Sequence, residues 1–150
     1  PVRPAQLDAQ EVLTAVAERF DAAAAAHGRR IVVGPHESIA VVADRMRLEQ
    51  ALGNLVANAL RYGAGGVDLR ATAKDETVEL HVTDEGHGFT NEFIPRAFDR
   101  FSRADSARPT GGSGLGLAIV ALIAEAHGGT AGVANRASGG ADAWITLPRS

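Results

Sequence analysis

Apolar residues recur at helical spacing in three parts of the chain, and each part ends as helices usually end. The first part predicts a helix from about Leu7 to His27-Gly28, where glycine tolerates the left-handed conformation that closes many helices. The second predicts a long helix that Asp44 caps and that ends near Tyr62-Gly63. The third predicts a helix from about Leu115 to His127, which is again followed by glycine.

Between these helices, apolar and polar residues alternate as they do in half-buried strands. Ile31–Val33 and Ile39–Val42 are short runs separated by Gly34-Pro35, and they are predicted to form a hairpin or paired strands. Further strands are predicted at about 67–71, 78–82, 130–134 and 143–147. This order predicts an α+β fold, in which helices cover one face of a single mixed sheet.

Size and composition are those of one globular domain spanning residues 1–150. The chain is 45% hydrophobic and 22% charged, and it has no cysteine, which excludes disulfides, thiolate metal sites and cysteine nucleophiles. Its net charge of -3 argues against a non-specific nucleic-acid binder, because such proteins neutralise phosphates with a basic face. Because there is no long apolar run and no signal-peptide pattern, we expect a soluble domain without direct membrane insertion.

Three polar side chains form a line on the second helix, beside its apolar stripe. Asn54, Asn58 and Arg61 are spaced i, i+4 and i+7, which places them on one face. An amide oxygen suits a hard cation such as Mg²⁺, and a guanidinium suits a phosphate. A solvated polar stripe would have the same spacing, so the pattern alone allows both interpretations.

A glycine-rich turn follows the strand predicted at 78–82. It reads Asp84-Glu85-Gly86-His87-Gly88, and its glycines would let the backbone turn sharply and approach a flat ligand. At the end of the strand, the Asp84 carboxylate could accept a hydrogen bond from an exocyclic amine. An ordinary turn is the alternative, because Asp and Gly are also common turn residues.

A second glycine-rich segment, at 111–117, leads into the third helix. Successive backbone N–H groups at a helix N-terminus form an anion site that the helix dipole favours. The segment is not a P-loop, because it lacks Gly-Lys-Ser/Thr, and a dinucleotide fingerprint would need glycine at Leu117. The pattern therefore indicates an anion site of another kind.

The stretch between the two glycine-rich segments has no sustained period. Residues 89–108 hold four of the five phenylalanines and four arginines. Phenylalanines need a surface to pack on and arginines need anions, which is typical of a lid, over about 89–114, that anchors on the domain and reaches a phosphate site. A protein-docking loop is the alternative.

Four segments, in this order, resemble the boxes of the catalytic and ATP-binding domain of bacterial sensor histidine kinases, in the gyrase, histidine kinase and MutL ATPase superfamily. Residues 47–62 are similar to the N box, and Asp84-x-Gly86-x-Gly88 is similar to the G1 box. Phe98-Asp99-Arg100-Phe101 is similar to the F box, and residues 112–117 are similar to the G2 box. The resemblance implies a two-layer α/β sandwich, the Bergerat ATP-binding fold, with a mobile ATP lid.

The resemblance also implies how the base and the metal are held. Asp84 matches the aspartate that accepts the adenine amino group, which distinguishes ATP from GTP. Gly86 and Gly88 match the glycines that let the base enter. Asn58 matches the asparagine that coordinates Mg²⁺. ATP and Mg²⁺ are therefore the expected cofactors.

The remaining matches concern the phosphates. Arg61 and Tyr62 match a basic residue and a tyrosine near the phosphates, although lysine is commoner than arginine there. Arg103 matches a lid arginine that meets the γ-phosphate. The nucleotide-binding turn implied by the G2 box consists of Gly112, Ser113, Gly114, Leu115, Gly116 and Leu117.

Asn54 separates the branches of the superfamily. The hydrolytic members and the anti-sigma serine kinases have a glutamate general base four residues before the metal-binding asparagine, where this chain has Asn54. An asparagine cannot accept a proton at neutral pH, so activation of water or of a serine hydroxyl is disfavoured. The resemblance therefore implies phosphotransfer to histidine, with Asn54, Arg61 and Arg103 as catalytic residues. A nucleotide-sensing module without transfer activity and an ATP hydrolase of the gyrase or MutL type are the alternatives.

The family's acceptor histidine is followed by an acidic residue and, shortly after, a proline. Only His36-Glu37 has the acidic neighbour, and no proline follows it. We therefore expect the acceptor on a dimerisation domain outside this chain, reached in cis or in trans, and a downstream response regulator. The isolated domain is expected to be monomeric. Its expected location is the cytoplasm, as the cytoplasmic part of a membrane-bound sensor.

Overall fold

The computed structural model describes residues 1–35, 37–99 and 116–149. None of the helices in these ranges is long and apolar enough to cross a membrane. In chain order the elements are β1 (Ala5–Asp8), α1 (Ala9–Ala25), β2 (Ile31–Val33), β3 (Ala40–Ala43), α2 (Arg45–Tyr62), β4 (Val67–Lys74), β5 (Thr77–Thr83), a 3-10 helix (Ile94–Arg96), α3 (Gly116–Ala126), β6 (Thr130–Asn135) and β7 (Ala141–Pro148).

A five-stranded mixed sheet, in the order β2-β4-β5-β7-β6, forms one layer of the fold. β2 runs parallel to β4, and the other neighbouring strands are antiparallel. Alternate residues of β5 and β7 are buried, and they share one hydrophobic core with the apolar faces of the three helices. The predicted two-layer α+β sandwich, with helices on one face of the sheet, is confirmed.

The N-terminal third differs from the sequence prediction. Leu7 lies in β1, which pairs antiparallel with β3, so the first helix begins at Ala9 after its cap, Asp8. The predicted pairing of β2 with β3 is wrong, because β2 pairs with β4 and β3 belongs to a separate two-stranded sheet. Parallel strands need a long crossover, and the chain between β2 and β4 supplies one through α2.

The start of α2 is fixed by three groups that form hydrogen bonds with Asp44. Its side chain accepts hydrogen bonds from the backbone N–H groups of Arg3, at 3.0 Å, and Arg47, at 3.3 Å. The bond from Arg3 holds the pKa of Asp44 below its ordinary value. The backbone N–H of Asp44 donates to His127 Nε2 at 3.0 Å, while His127 Nδ1 donates to the Ile123 carbonyl. The predicted cap is confirmed, and α3 supports it.

One arginine fixes the other end of α2. Arg29 donates to the carbonyl oxygens of Leu60 at 3.0 Å, Ala59 at 3.3 Å and Gly65 at 2.8 Å. A guanidinium stabilises the last carbonyls of a helix through hydrogen bonds and through the helix dipole. Both ends of α2 are therefore held in place, which fixes the polar residues on its exposed face.

The face of the sheet opposite the helices carries one histidine, His81, in contact with two carboxylates and a tryptophan. His81 Nδ1 lies 2.7 Å from Asp142 Oδ1, His81 Nε2 lies 2.9 Å from Glu79 Oε1, and the ring stacks on Trp144 with centroids 5.1 Å apart. Burial alone would lower the pKa of His81, but the hydrogen bonds to Asp142 and Glu79 outweigh it and raise the pKa above its ordinary value.

We expect the free energy of unfolding to fall as the pH rises through the raised pKa of His81. A histidine that holds its proton more tightly when folded stabilises the fold fully below its unfolded pKa of about 6.5, and it loses that contribution above its folded pKa. Urea unfolding between about pH 5.5 and pH 9 measures this decline, which His81→Gln should reduce. An equal decline in the variant would contradict this assignment.

Candidate functional site

A buried carboxylate marks the site. Asp84 follows β5 and is 4% exposed, and its Oδ1 accepts the backbone N–H of Gly86 at 2.8 Å and, more weakly, that of Ala141 at 3.5 Å. Two backbone donors therefore set the orientation of the carboxylate, which no local sequence pattern could show.

Gly63, directly after α2, lies against this carboxylate. A Cβ at this position would overlap Asp84 Cγ and would lie 2.5 Å from Oδ2 and 2.7 Å from the Ala59 carbonyl. Its φ of -91° is ordinary for any residue. The sequence pattern predicts a helix end at Gly63, but close approach to Asp84, not backbone conformation, is what requires glycine there.

The turn after Asp84 is tied to the turn after α2. Glu85 Oε1 accepts the Gly66 N–H at 2.6 Å, and the Glu85 N–H donates to the Ala64 carbonyl at 2.9 Å. A Cβ at Gly86 would lie 2.9 Å from the Ala64 nitrogen, whereas Gly88 has a φ of +80° that favours glycine. Glycine is thus required at 86 by close approach and favoured at 88 by a positive φ. Glu85, which no sequence pattern indicated, connects the two turns.

The predicted polar line lies on the exposed side of α2. Asn54 and Asn58 are half-buried, Arg61 is exposed in the last turn, and Tyr62 is the half-buried last residue of the helix. Asn54 Nδ2 donates to the Gly116 carbonyl at 3.3 Å, which connects this line to the first residue of α3. At Asn54 the line therefore makes a tertiary contact, which a purely solvated stripe would not.

These contacts place one landmark beside the middle of α2 and another at its C-terminal end. Asn54, in the middle of the helix, contacts Gly116, and Gly63, directly after the last helical residue, lies against Asp84. Gly63 lies nine positions after Asn54, which is about 14 Å along the helix axis. Three segments that are far apart in the sequence therefore meet along α2.

Five of the predicted site residues lie outside the described residues: Arg103, Gly112, Ser113, Gly114 and Leu115. His36, the one histidine with an acidic residue directly after it, also lies outside them. Of the remaining two in the G2-like segment, Gly116 is exposed at the start of α3 and Leu117 is buried in the core. The Leu117 side chain thus anchors the first turn of α3.

Comparison with known proteins identifies the family. The model for histidine kinase-, DNA gyrase B- and HSP90-like ATPases matches residues 43–150. The chain belongs to this ATPase family. It is 44% identical over 124 residues to sensor histidine kinase component HK1 of Mycobacterium tuberculosis, covering 83% of this chain and 74% of that protein. It is 38% identical over 135 residues to the signal transduction histidine-protein kinase BaeS of Escherichia coli, covering 87% of this chain and 28% of BaeS.

Solved structures place the ATPase-family domain among histidine kinase domains. The mycobacterial sensor histidine kinase MprB superposes with a TM-score of 0.84 at 31% identity, covering 96% of this chain and 97% of that chain. Full-length ShkA in complex with AMPPNP gives 0.85 at 35% identity, covering 99% of this chain and 31% of ShkA. These relatives support ATP binding and a role in two-component signalling for the domain.

Within this ATPase-family domain, the first part of the predicted lid packs on the core. Phe89 and Phe93 are buried, with their rings stacked at a centroid distance of 5.5 Å, and Ala97 is also buried. These three side chains hold the segment on the core. Residues 100–114 of the predicted lid lie outside the described residues, so the mobile lid stays a prediction.

The donor set of the domain suits a magnesium ion only together with a ligand. Among the described residues, no group of three His, Asp or Glu side chains could hold a metal ion. The Asn58 amide oxygen is a hard, neutral donor on the polar face of α2. Mg²⁺ commonly takes few protein ligands and completes its shell with substrate phosphates and water, so this donor set fits Mg²⁺ bound with a nucleotide.

Proposed function

We propose that this domain binds Mg-ATP and transfers the γ-phosphoryl group to a histidine on a dimerisation domain outside the chain. One observation carries the proposal: the buried Asp84 carboxylate lies at the C-terminal end of α2 and the start of α3 contacts Asn54 in its middle, so the part of the helix that holds Asn54, Asn58 and Arg61 lies between them. An adenine nucleotide has the same polarity, with a hydrogen-bonding base at one end and phosphates at the other.

Asp84 recognises the base in this proposal. Its carboxylate accepts a hydrogen bond from the exocyclic amine of adenine. Guanine presents a carbonyl oxygen at the corresponding position, which would leave two acceptors facing each other in a buried site. Unpaired buried acceptors are costly, so the geometry favours ATP over GTP.

Asn58 is the residue that would hold Mg²⁺, and the phosphate oxygens of the nucleotide would supply further ligands. When bound, the ion neutralises negative charge on the phosphates during transfer. Arg61 lies one turn further along the same face and provides a guanidinium that can contact the phosphates.

The transfer itself needs little covalent help from the domain. A nitrogen of the acceptor imidazole attacks the γ-phosphorus, the bond to the bridging oxygen breaks, and ADP leaves with that oxygen. Catalysis is then a matter of positioning and charge stabilisation. Asn54, which donates to the Gly116 carbonyl, contributes by holding the start of α3 rather than by taking a proton.

Two measurements on the intact chain test the proposal. Calorimetry with Mg-ATP should show association, and labelled γ-phosphate should move to an added dimerisation domain. Association without transfer would favour the nucleotide-sensing alternative, and steady phosphate release without acceptor would favour a hydrolase. No heat of association with millimolar Mg-ATP would overturn ATP binding altogether.

We expect Arg103→Ala to slow transfer by about 10²-fold, as the loss of one donor to the transition state does, while weakening ATP binding much less. Single-turnover transfer and calorimetry separate the two effects. Arg96→Ala is the matched control, because Arg96 is an exposed arginine of the 3-10 helix in the same segment. Equal losses of binding and transfer in Arg103→Ala would refute a role confined to transfer.

A further inference from the structure

The side chain of Asn135, the last residue of β6, pairs with the backbone of Phe89. Its Oδ1 accepts the Phe89 N–H at 2.6 Å, and its Nδ2 donates to the Phe89 carbonyl at 2.9 Å. A side-chain amide can make both bonds because it carries one acceptor and one donor group. Gly88 lies directly against the same amide, where a Cβ would overlap Asn135 Oδ1. Asn135 therefore holds the end of the 84–89 loop as a neighbouring strand would.

The next residue holds the beginning of the same loop. Arg136 Nη1 donates to the Asp84 carbonyl at 2.9 Å, and the Asp84 N–H donates to the Ala141 carbonyl at 3.0 Å. Gly140 packs on this peptide group: its φ is +99°, and a Cβ would overlap the Asp84 carbonyl oxygen. Arg136 and Ala141, at the two ends of the turn between β6 and β7, thus hold the carbonyl and the N–H of Asp84.

We propose that Asn135 and Arg136 are positioning residues that clamp both ends of the 84–89 loop and thereby set the direction of the Asp84 carboxylate. The inference rests on the proposed role of Asp84 in base recognition. The loop contains Gly86 and Gly88, which add conformational freedom, so an unclamped loop would lose more entropy when Asp84 is fixed on the adenine amino group. The clamp reduces that loss before binding.

The test compares two nucleotides that differ at the recognised group. ITP has a carbonyl oxygen where ATP has the amino group, so it lacks the bond to Asp84 but keeps the triphosphate. We expect Asn135→Ala and Arg136→Ala each to weaken ATP binding by about three- to thirtyfold and to leave ITP binding nearly unchanged. A general loss of structure would instead weaken both nucleotides.

Arg149→Ala is the matched control. Arg149 Nη1 donates to the Asp75 carbonyl at 2.8 Å, which is the same kind of contact in the turn between β4 and β5. Its loss should not change the ratio of ATP to ITP affinity. Arg136→Lys keeps the charge and one donor, so it should recover part of the affinity, and it replaces Arg136→Ala as the test if that variant does not fold.

The outcomes separate this inference from the proposed function. If Asp84→Asn weakens ATP binding but the Asn135 and Arg136 variants keep the full ATP-to-ITP ratio, the clamp is refuted and base recognition stands. If Asp84→Asn itself leaves ATP binding unchanged, base recognition fails and the clamp fails with it. A reduced ratio in both clamp variants, little further reduced when Asp84→Asn is added, supports the inference.

Discussion

An Asp84→Asn chain is expected to bind ATP about ten- to a hundredfold more weakly than the unaltered chain, since a hydrogen bond to a charged group contributes roughly 1.5–3 kcal/mol. The backbone N–H groups of Gly86 and Ala141 point at Oδ1, so the carbonyl oxygen of the new amide takes that position. The amide NH₂ then lies on the other side, where it faces the adenine amino group as donor to donor. Calorimetry with Mg-ATP measures the loss.

Asp142→Asn is the control for this change, because Asp142 pairs in β7 with Thr83, the residue before Asp84, but its side chain binds His81 on the opposite face of the sheet. Its ATP affinity should equal that of the unaltered chain. Asp84→Asn should also narrow the preference for ATP over GTP, because an amide NH₂ can donate to the guanine carbonyl. Unchanged ATP affinity in Asp84→Asn would remove Asp84 from the site.

The helices could be predicted from the sequence because their signals are local. Asp44 caps α2 where the sequence indicated, and the helix ends at Tyr62 as its apolar stripe and the following glycine indicated. The predicted start of the first helix is wrong because Leu7 fits the helical spacing but lies in β1, which pairs with β3. Periodicity in four residues does not separate a strand from a first helical turn.

Strand pairing was harder to predict from the sequence than the helices were, because it depends on contacts between distant segments. β2 and β3 are neighbours in the sequence, but a parallel partner beyond α2 outcompetes the short hairpin. The contact between Asp142 and His81 could not be predicted for the same reason. Asp142 occupies an ordinary outward position in the alternating pattern of β7, and only the pairing of β7 with β5 brings it to His81.

The site shows the same division. Asp84 could be singled out because a carboxylate between a strand and a glycine turn is a local pattern, strengthened by the order of the four boxes. The residues that hold Asp84 in place could not be singled out from the sequence. Gly63, Asn135 and Arg136 act through contacts with residues that are 21 to 52 positions away in the sequence. Each looks unremarkable locally: a glycine after a helix, and two polar residues at the start of a turn.

Gly63→Ala is expected to have a large effect from a single methyl group. The added Cβ would overlap Asp84 Cγ and approach the Ala59 carbonyl to 2.7 Å, so either the carboxylate or the end of α2 must move. Overpacking of this kind costs about 1–3 kcal/mol of stability. Because the carboxylate is displaced, ATP affinity should also fall by about tenfold or more. Urea unfolding and calorimetry with Mg-ATP measure the two losses.

Gly53→Ala is the matched control on the same helix. A Cβ at Gly53 would meet the Phe20 ring at 3.6 Å, which is an ordinary contact, and alanine inside a helix should stabilise the chain by about 0.5–1 kcal/mol. ATP affinity should be unchanged in this variant. If Gly63→Ala gained stability and kept ATP affinity as Gly53→Ala should, the carboxylate would not lie against Gly63, and the convergence of α2 with Asp84 would lose its basis.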